Sequence, residues 1–352
     1  MLDKYISIEP WWAGFANVRM SLEIGLAISE VTGRKFIIPP AIYFNAINPW
    51  DKKETYIKPF DIWDEDVFKQ TFNTANYYDI PEYRALTGKT YFTGVDKFAK
   101  LMLFDGAYKE FHPLPSCIGY ILINEIINVE NYNKFSQGRK PFNLKQDEKF
   151  IHFPRNLFGH FYHSVYGSTI EKQKEIKNKM LNGFKFKKEY INTIDIIKKE
   201  LGEYNSIHVR RGDFMDTRPE TVNLINDIPK YLSKHLFKKN LPLYIATDEQ
   251  DKSVFNFLKN EYDIYFLDNF ISNTTPLTAT IFDQLACSYS FQFLGSVMST
   301  FTDYIHVNRA SIGLSSNPRV GCNFDKVELQ YTHYPWEEED WSWQHLYKYY
   351  WL

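Results

Sequence analysis

Cysteine is scarce in this chain: three in 352 residues (Cys117, Cys287 and Cys322), scattered and with no Cys-x-x-Cys pair. An odd, dispersed set argues against a disulfide framework or a cysteine-based zinc site and fits a reducing compartment. Long apolar runs are lacking too. No uncharged apolar stretch reaches the roughly 18 residues that a membrane-spanning helix needs, and residues 1–10 (MLDKYISIEP) lack the apolar segment of a secretory signal. Charge of one sign is also missing, with 41 Lys and Arg against 43 Asp and Glu, a net charge of −2. That balance sets up no broad field for nucleic acid, so any anion site must be local. These absences together lead us to expect a cytoplasmic protein without a transmembrane segment or a nucleic-acid partner; peripheral membrane association stays open.

What is present is bulk apolar material, 44% of residues, in a chain long enough for two domains. Aromatics reach 18%. Aromatic faces line many sugar sites, but Lys, Asn and Ile are abundant alongside them, and the base composition of the source genome accounts for most of the excess. Strand and helix patterns alternate, which argues for α/β domains with mainly parallel sheets. A strand over 5–8 leads through a loop, Trp11-Trp12-Ala13-Gly14-Phe15-Ala16-Asn17, into a helix over 18–31. Gly33 follows as a suitable C′ residue, and a second strand covers 35–38. Residues 41–145 give no clear pattern beyond Pro, Tyr and Asn punctuation and are taken as the irregular remainder of the first domain. A strand over 150–153 precedes two charged amphipathic helices within 169–201, broken near Asn182-Gly183. The second half reads as strands over 206–210, 243–246, 264–267 and 293–297 alternating with helices over 228–237, 253–258, 278–289 and from Ser299 to about 307, a doubly wound domain. The expected organisation is a first Rossmann-like domain over 1–168, a second over 169–330, and an aromatic tail over 331–352 packing back on the first.

Residues 207–213, Ile-His-Val-Arg-Arg-Gly-Asp, carry the most chemistry. An apolar run that ends in two arginines places guanidinium groups at the carboxyl end of a buried strand, where ligands bind in open α/β sheets. Arginine's planar fork suits a phosphate or diphosphate. Read without function, the same stretch is a strand end with surface arginines and a turn. Ser299-Thr300-Phe301 follows another apolar strand and opens a helix, offering backbone N–H groups and hydroxyls to an anion, or simply an N-cap. Asp283, in the preceding helix, could accept from N1–H and the amino group of a guanine, or be a solvated helix charge. His208 could touch base or ribose, or sit satisfied in the core. Gly14 would allow close backbone approach at the first strand-to-helix turn.

Three rival signals are weaker. Asp64-Glu65-Asp66 is a DxD of the kind metal-dependent transferases use, but no apolar strand delivers it, and acidic residues there suit a helix N-terminus. His160 and His163 have no carboxylate at useful spacing and read as packing residues. Arg211-Gly212-Asp213 spells an adhesion tripeptide at what reads as a strand end.

Three blocks in order resemble the GDP-fucose O-fucosyltransferases and their relatives, including the bacterial α1,6-fucosyltransferases: Gly14-Phe15-Ala16-Asn17-Val18-Arg19, then His208-Val209-Arg210-Arg211-Gly212-Asp213, then Asp283 with Ser299-Thr300-Phe301. The resemblance implies a GT-B architecture, two Rossmann-like domains facing a cleft, with the donor mainly on the second. It implies that His208 and Asp283 recognise guanine, that Arg210 binds the β-phosphate and glycosidic oxygen, and that Ser299, Thr300 and Phe301 complete the diphosphate pocket. Gly14 and Phe15 belong to the same donor set with Arg211, and Asn17 approaches the fucose. No metal is required on this reading, and β-linked GDP-fucose is inverted to an α-fucoside on a glycan or a protein Ser/Thr hydroxyl. One departure concerns the base. Some members carry a glutamate just before the Gly-Phe-x-Asn turn, where this chain has Trp12 and Ala13; Glu9 and Asp213 are the alternatives. A second is the missing secretory signal. The rival functions are another nucleotide-sugar transferase, metal-dependent through Asp64 and Asp66, or an inactive relative that binds a glycan.

Overall fold

The computed structural model describes residues 3–8, 14–44, 55–86, 149–153, 170–212, 214–217, 223–296 and 299–314. They form two compact units that divide between Lys187 and Lys188.

In the first unit, β1 (Tyr5–Ile8) is followed by α1 (Phe15–Thr32) and β2 (Lys35–Ile38). Then come β3 (Ile42–Phe44), β4 (Thr55–Ile57), α2 (Glu65–Thr71), β5 (Thr74–Asn76), α3 (Pro81–Leu86), β6 (Phe150–Phe153) and α4 (Ile170–Gly183). The main sheet has the order β5-β2-β1-β6 with every pair parallel, and β3 and β4 make a separate antiparallel pair. Helix α1 begins at Phe15, three residues before the expected start, because extended Gly14 (φ −62, ψ 158) accepts the first ladder bond from Val18 N–H at 3.1 Å. It ends where Gly33 turns left-handed at φ 69, a conformation that favours glycine. Almost every residue from Phe15 to Ser29 is buried, including Arg19 and Glu23, which pair one turn apart (Nε to Oε1, 3.0 Å). The Arg19 guanidinium also lies over the Phe184 ring at 5.2 Å, so the arginine of the first sequence block belongs to the interior of its own unit.

The expected boundary at 168/169 gives way to one at Lys187/Lys188, which leaves α4 with the first unit. Lys179 of α4 pairs with Glu30 of α1 at 2.5 Å, and α4 packs on α2. The chain after α4 is pinned as well: Asp64 N–H donates to Lys185 O at 2.8 Å, and Lys187 N–H to Ile62 O at 3.0 Å. Residues 331–352 lie outside the described residues.

The second unit contains α5 (Lys188–Leu201), β7 (Asn205–Val209), α6 (Phe214–Thr217), α7 (Ile228–Lys234), β8 (Leu243–Thr247), β9 (Ile264–Tyr265), α8 (Pro276–Tyr289), β10 (Gln292–Gly295) and α9 (Thr300–Ser311). Its sheet is again parallel, in the order β10-β7-β8-β9. Strand β7 is buried at all five positions although three of them, Asn205, Ser206 and His208, are polar, as befits a central strand of a parallel sheet. Ile207 and Val209 point to one face, where they meet Ile228, Leu232, Leu243, Ile245, Phe255, Leu258 and Leu294. Each such side chain contributes roughly 1.5–3 kcal/mol by burial. Ser206 and His208 alternate to the opposite face, toward α8 and α9. Arg309 anchors the far end of α9, donating to Ser290 O at 2.7 Å and Phe291 O at 3.1 Å.

Some elements differ from expectation. The helix expected over 253–258 is present as a longer 3-10 helix, Lys252–Asn260, and β9 is only two residues because Leu267–Asn269 coils immediately.

Candidate functional site

Both sheets share one ordering: three strands run to one side, and the fourth returns to pair with the first. In the second unit that reversal falls between β7 and β10, and in the first between β1 and β6. A crevice opens at the carboxyl ends of the strands at such a switch point. The sequence blocks sit there: Arg210 follows β7, Ser299 follows β10, and Gly14 follows β1.

The two loops of the second unit are stitched together. Ser296 Oγ accepts from Arg210 N–H at 2.8 Å and donates to His208 O at 3.0 Å. His208 Nδ1 meets Thr302 Oγ1 at 2.8 Å, and its ring lies 4.6 Å from that of Phe301. These contacts fix the start of α9 against the end of β7. The helix N-terminus and the arginines therefore share one edge, and Ser299 and Thr300 stand at the first turn, where N–H groups are free of ladder partners. His208 is buried at 4% exposure; desolvation, with Arg210 beside it, pushes its pKa down to about 3. It is a neutral imidazole that positions α9. The interior reading accounts for its burial and for the Nδ1 contact to Thr302.

Arg210 projects from the strand end with its side chain 23% exposed, and Nη1 lies 2.9 Å from Asp248 Oδ2. Arg211 Nε donates to Glu249 Oε2 at 2.7 Å. Register explains both pairs: Val209 lies opposite Thr247, so the next two residues of each strand continue side by side. The acids after β8 were missed as partners, although Thr247-Asp248-Glu249 ends a strand as Arg210-Arg211 does.

Asp283 is bonded to none of these residues. It lies in α8 and accepts from Tyr244 of β8 at 2.6 Å; its electrostatic neighbours are Lys252 and Asp268, which follow β8 and β9. Burial raises its pKa to about 7, against the opposing pull of the Tyr244 hydrogen bond. A carboxyl group at the border of ionisation can present either a proton or lone pairs to a base.

In the first unit, Gly14 is extended, and a Cβ there would meet none of the described residues within 4 Å. Phe15 is buried against Trp63 (ring centroids 6.1 Å apart), so its side chain serves the core. Asn17 is in the first turn of α1 rather than in a loop.

Asp64 is the N-cap of α2, accepting from Val67 N–H at 3.0 Å, while Asp66 belongs to the first turn. We expect Asp64→Ala to lower stability by about 1 kcal/mol and to leave nucleotide binding unchanged. Denaturant unfolding and calorimetric titration check both parts, and a loss of Mn²⁺-dependent nucleotide affinity would revive the DxD reading. Among the described residues, no group of three or more His, Cys, Asp or Glu is placed to hold a metal. No helix among them is long and apolar enough to cross a membrane. Cys287 is buried, and its thiol is pushed well above the ordinary range. Asp213, Glu9, Trp12, Ala13, His160, His163, Cys117 and Cys322 lie outside the described residues.

No family model matches the chain. Over 117 residues it is 35% identical to GDP-fucose protein O-fucosyltransferase 2 of Caenorhabditis elegans; the match covers 32% of this chain and 27% of that protein, so it spans about a quarter of the relative's length. Among solved structures, POFUT1 in complex with GDP aligns over 92% of this chain and 99% of its own, with a TM-score of 0.53 at 10% identity. POFUT1 in complex with GDP-fucose gives 0.53 at 11% identity. The chain therefore has the GT-B-type fold, two Rossmann-like units, of the O-fucosyltransferase POFUT1, and its resemblance to the GDP-fucose fucosyltransferases extends from three short sequence blocks to the architecture that carries them.

Proposed function

We propose that the protein is a metal-independent, inverting fucosyltransferase that moves fucose from GDP-fucose to a hydroxyl group, in a cytoplasmic setting. The observation that carries this reading is the position of Arg210: it stands at the carboxyl edge of β7, at the strand-order reversal, beside the N-terminus of α9. Glycosyl transfer passes through an oxocarbenium-like state while negative charge grows on the departing diphosphate. A guanidinium and a helix N-terminus held in place before reaction stabilise that charge where it develops. Arg210 is assigned to the β-phosphate and glycosidic oxygen, and Ser299, Thr300 and the backbone at Phe301 to the diphosphate. Arg211 adds positive charge at the same edge, and Asp283 is assigned to the guanine. His208 is assigned to the guanine with Asp283 on the sequence resemblance, and it holds α9 through Thr302. Gly14, Phe15 and Asn17 are assigned to the donor on the sequence resemblance; the base is unassigned, with Asp213 and Glu9 as its candidates and an unassisted dissociative route as the alternative.

The acceptor is taken to be a glycan hydroxyl. A protein Ser/Thr hydroxyl is the second reading, favoured by the similarity to a protein O-fucosyltransferase over 117 residues. The test is to incubate the protein with GDP-fucose in EDTA and an acceptor panel of oligosaccharides and Ser/Thr peptides, following GDP release and the anomeric proton of the product. An α-fucoside formed in EDTA is the expected product. A β-fucoside, or transfer only from another nucleotide sugar with Mn²⁺ added, would overturn the proposal.

A further inference from the structure

We infer that Asp248 is the positioning residue for Arg210, and that Gly212 is glycine to let the Asp248 carboxylate reach it. The inference rests on the donor reading above and assigns a second side chain to that site. One carboxylate binds three groups of the 210–212 turn. Its Oδ1 accepts from the backbone N–H of Arg211 at 2.7 Å and of Gly212 at 3.0 Å. Its Oδ2 lies 2.9 Å from Arg210 Nη1. The Asp248 side chain is only 6% exposed and the Arg210 side chain 23%, so the pair is shielded at the acid and open at the guanidinium. The open side is where a phosphate would approach.

Gly212 supports the same assignment independently. It is not among the positive-φ glycines of the described residues, so its backbone does not call for glycine. A Cβ there would lie 2.5 Å from Asp248 Oδ2 and 3.0 Å from Cγ. What excludes a side chain is the carboxylate itself. The oxygen that a Cβ would displace is the one paired with Arg210.

The physical role follows. A free arginine side chain samples many rotamers, and catalysis by charge stabilisation needs the guanidinium fixed before the charge appears. Asp248 holds it at one end by charge, Oδ2 facing Nη1 without a hydrogen bond, and at the other by tying down the turn. It also offsets the arginine's charge, so it favours placement over raw attraction for the diphosphate. The two effects separate in kinetics. Asp248→Asn keeps an oxygen for the two N–H groups but turns an amide donor toward Arg210.

The experiment measures GDP affinity by calorimetry, melting temperature, and kcat and KM for GDP release from GDP-fucose, in wild type, Asp248→Asn and Gly212→Ala. We expect kcat to fall about 100-fold in Asp248→Asn while GDP binds within about threefold of wild type or more tightly. Gly212→Ala should follow the same pattern with both charged residues intact, and it keeps the test open should the Asn variant fail to fold. A kcat within about twofold of wild type in either folded variant overturns the inference, as does a parallel loss of kcat, GDP affinity and melting temperature, which marks a merely structural role. Wild-type protein that neither binds GDP nor releases it from GDP-fucose removes the donor reading underneath, a distinct failure.

Discussion

Replacing Arg210 with alanine should reduce fucose transfer by about 10²–10³-fold or more, the loss seen when one preorganised donor to a developing charge is removed. Arg210 is the cation the structure places at the exposed end of a buried strand, beside the start of a helix. Lysine should not restore the rate, because it keeps the charge but not the planar fork that meets two oxygens at once. Stability should change little by comparison. Asp248 keeps its two backbone N–H partners, and the pair is partly solvated at the arginine, so the loss should be about 1–2 kcal/mol rather than the 3–5 of a fully buried pair. Steady-state kinetics and urea unfolding of both variants check this, and normal transfer by Arg210→Ala would show that the site is elsewhere.

The second large effect concerns Asp283. Its carboxyl titrates at about 7 in the fold because burial opposes the charge, against an ordinary value near 3.9. Recognition of guanine N1–H and the amino group needs the ionised form. GDP affinity should therefore fall as pH drops through about 7, approaching tenfold per unit below it. Stability runs the other way. The folded pKa is raised above the unfolded one, so the folded state holds a proton that the unfolded state releases between about pH 4 and 7, and the contribution is lost as pH rises through that window. Asp283→Asn should flatten both profiles. Asp283→Ala should weaken GDP by about 100-fold and narrow the preference for guanine over adenine, since a site built to hydrogen-bond one base leaves buried groups unpaired with another. Titrations with GDP and ADP between pH 5.5 and 8.5 measure each point. Unchanged base preference in the alanine variant would remove Asp283 from the site.

The features legible in the sequence were those with a strong local signal. Strand β7 carries Ile207 and Val209 at alternate positions, and α1 closes on a glycine at φ 69, as the pattern implied. Short elements were not legible. Strands β3, β4 and β5 have three residues each, too few to show a period of two. The end of the first unit was misplaced because α4 reads as a charged surface helix; its attachment runs through Lys179 to Glu30, 149 residues away. At the site, the arginines stood out as a doublet after a strand. Asp248, Tyr244 and Thr302 did not, because their roles depend on cross-strand register or helix placement: Asp248 becomes a partner only once Val209 is known to lie opposite Thr247. His208 and Phe15 show the reverse. Both lie inside motif blocks, yet their side chains pack within their own units.

The measurement that tests the central claim most directly is thermal stabilisation by GDP, GDP-fucose, GDP-mannose, UDP-sugars and ADP, each in EDTA and again with Mn²⁺. A ligand that binds only the folded chain raises the melting temperature by mass action. Stabilisation by GDP and GDP-fucose in EDTA, and none by ADP, is the expected result. Stabilisation by a UDP-sugar only when Mn²⁺ is present, or no response to any nucleotide, would contradict it.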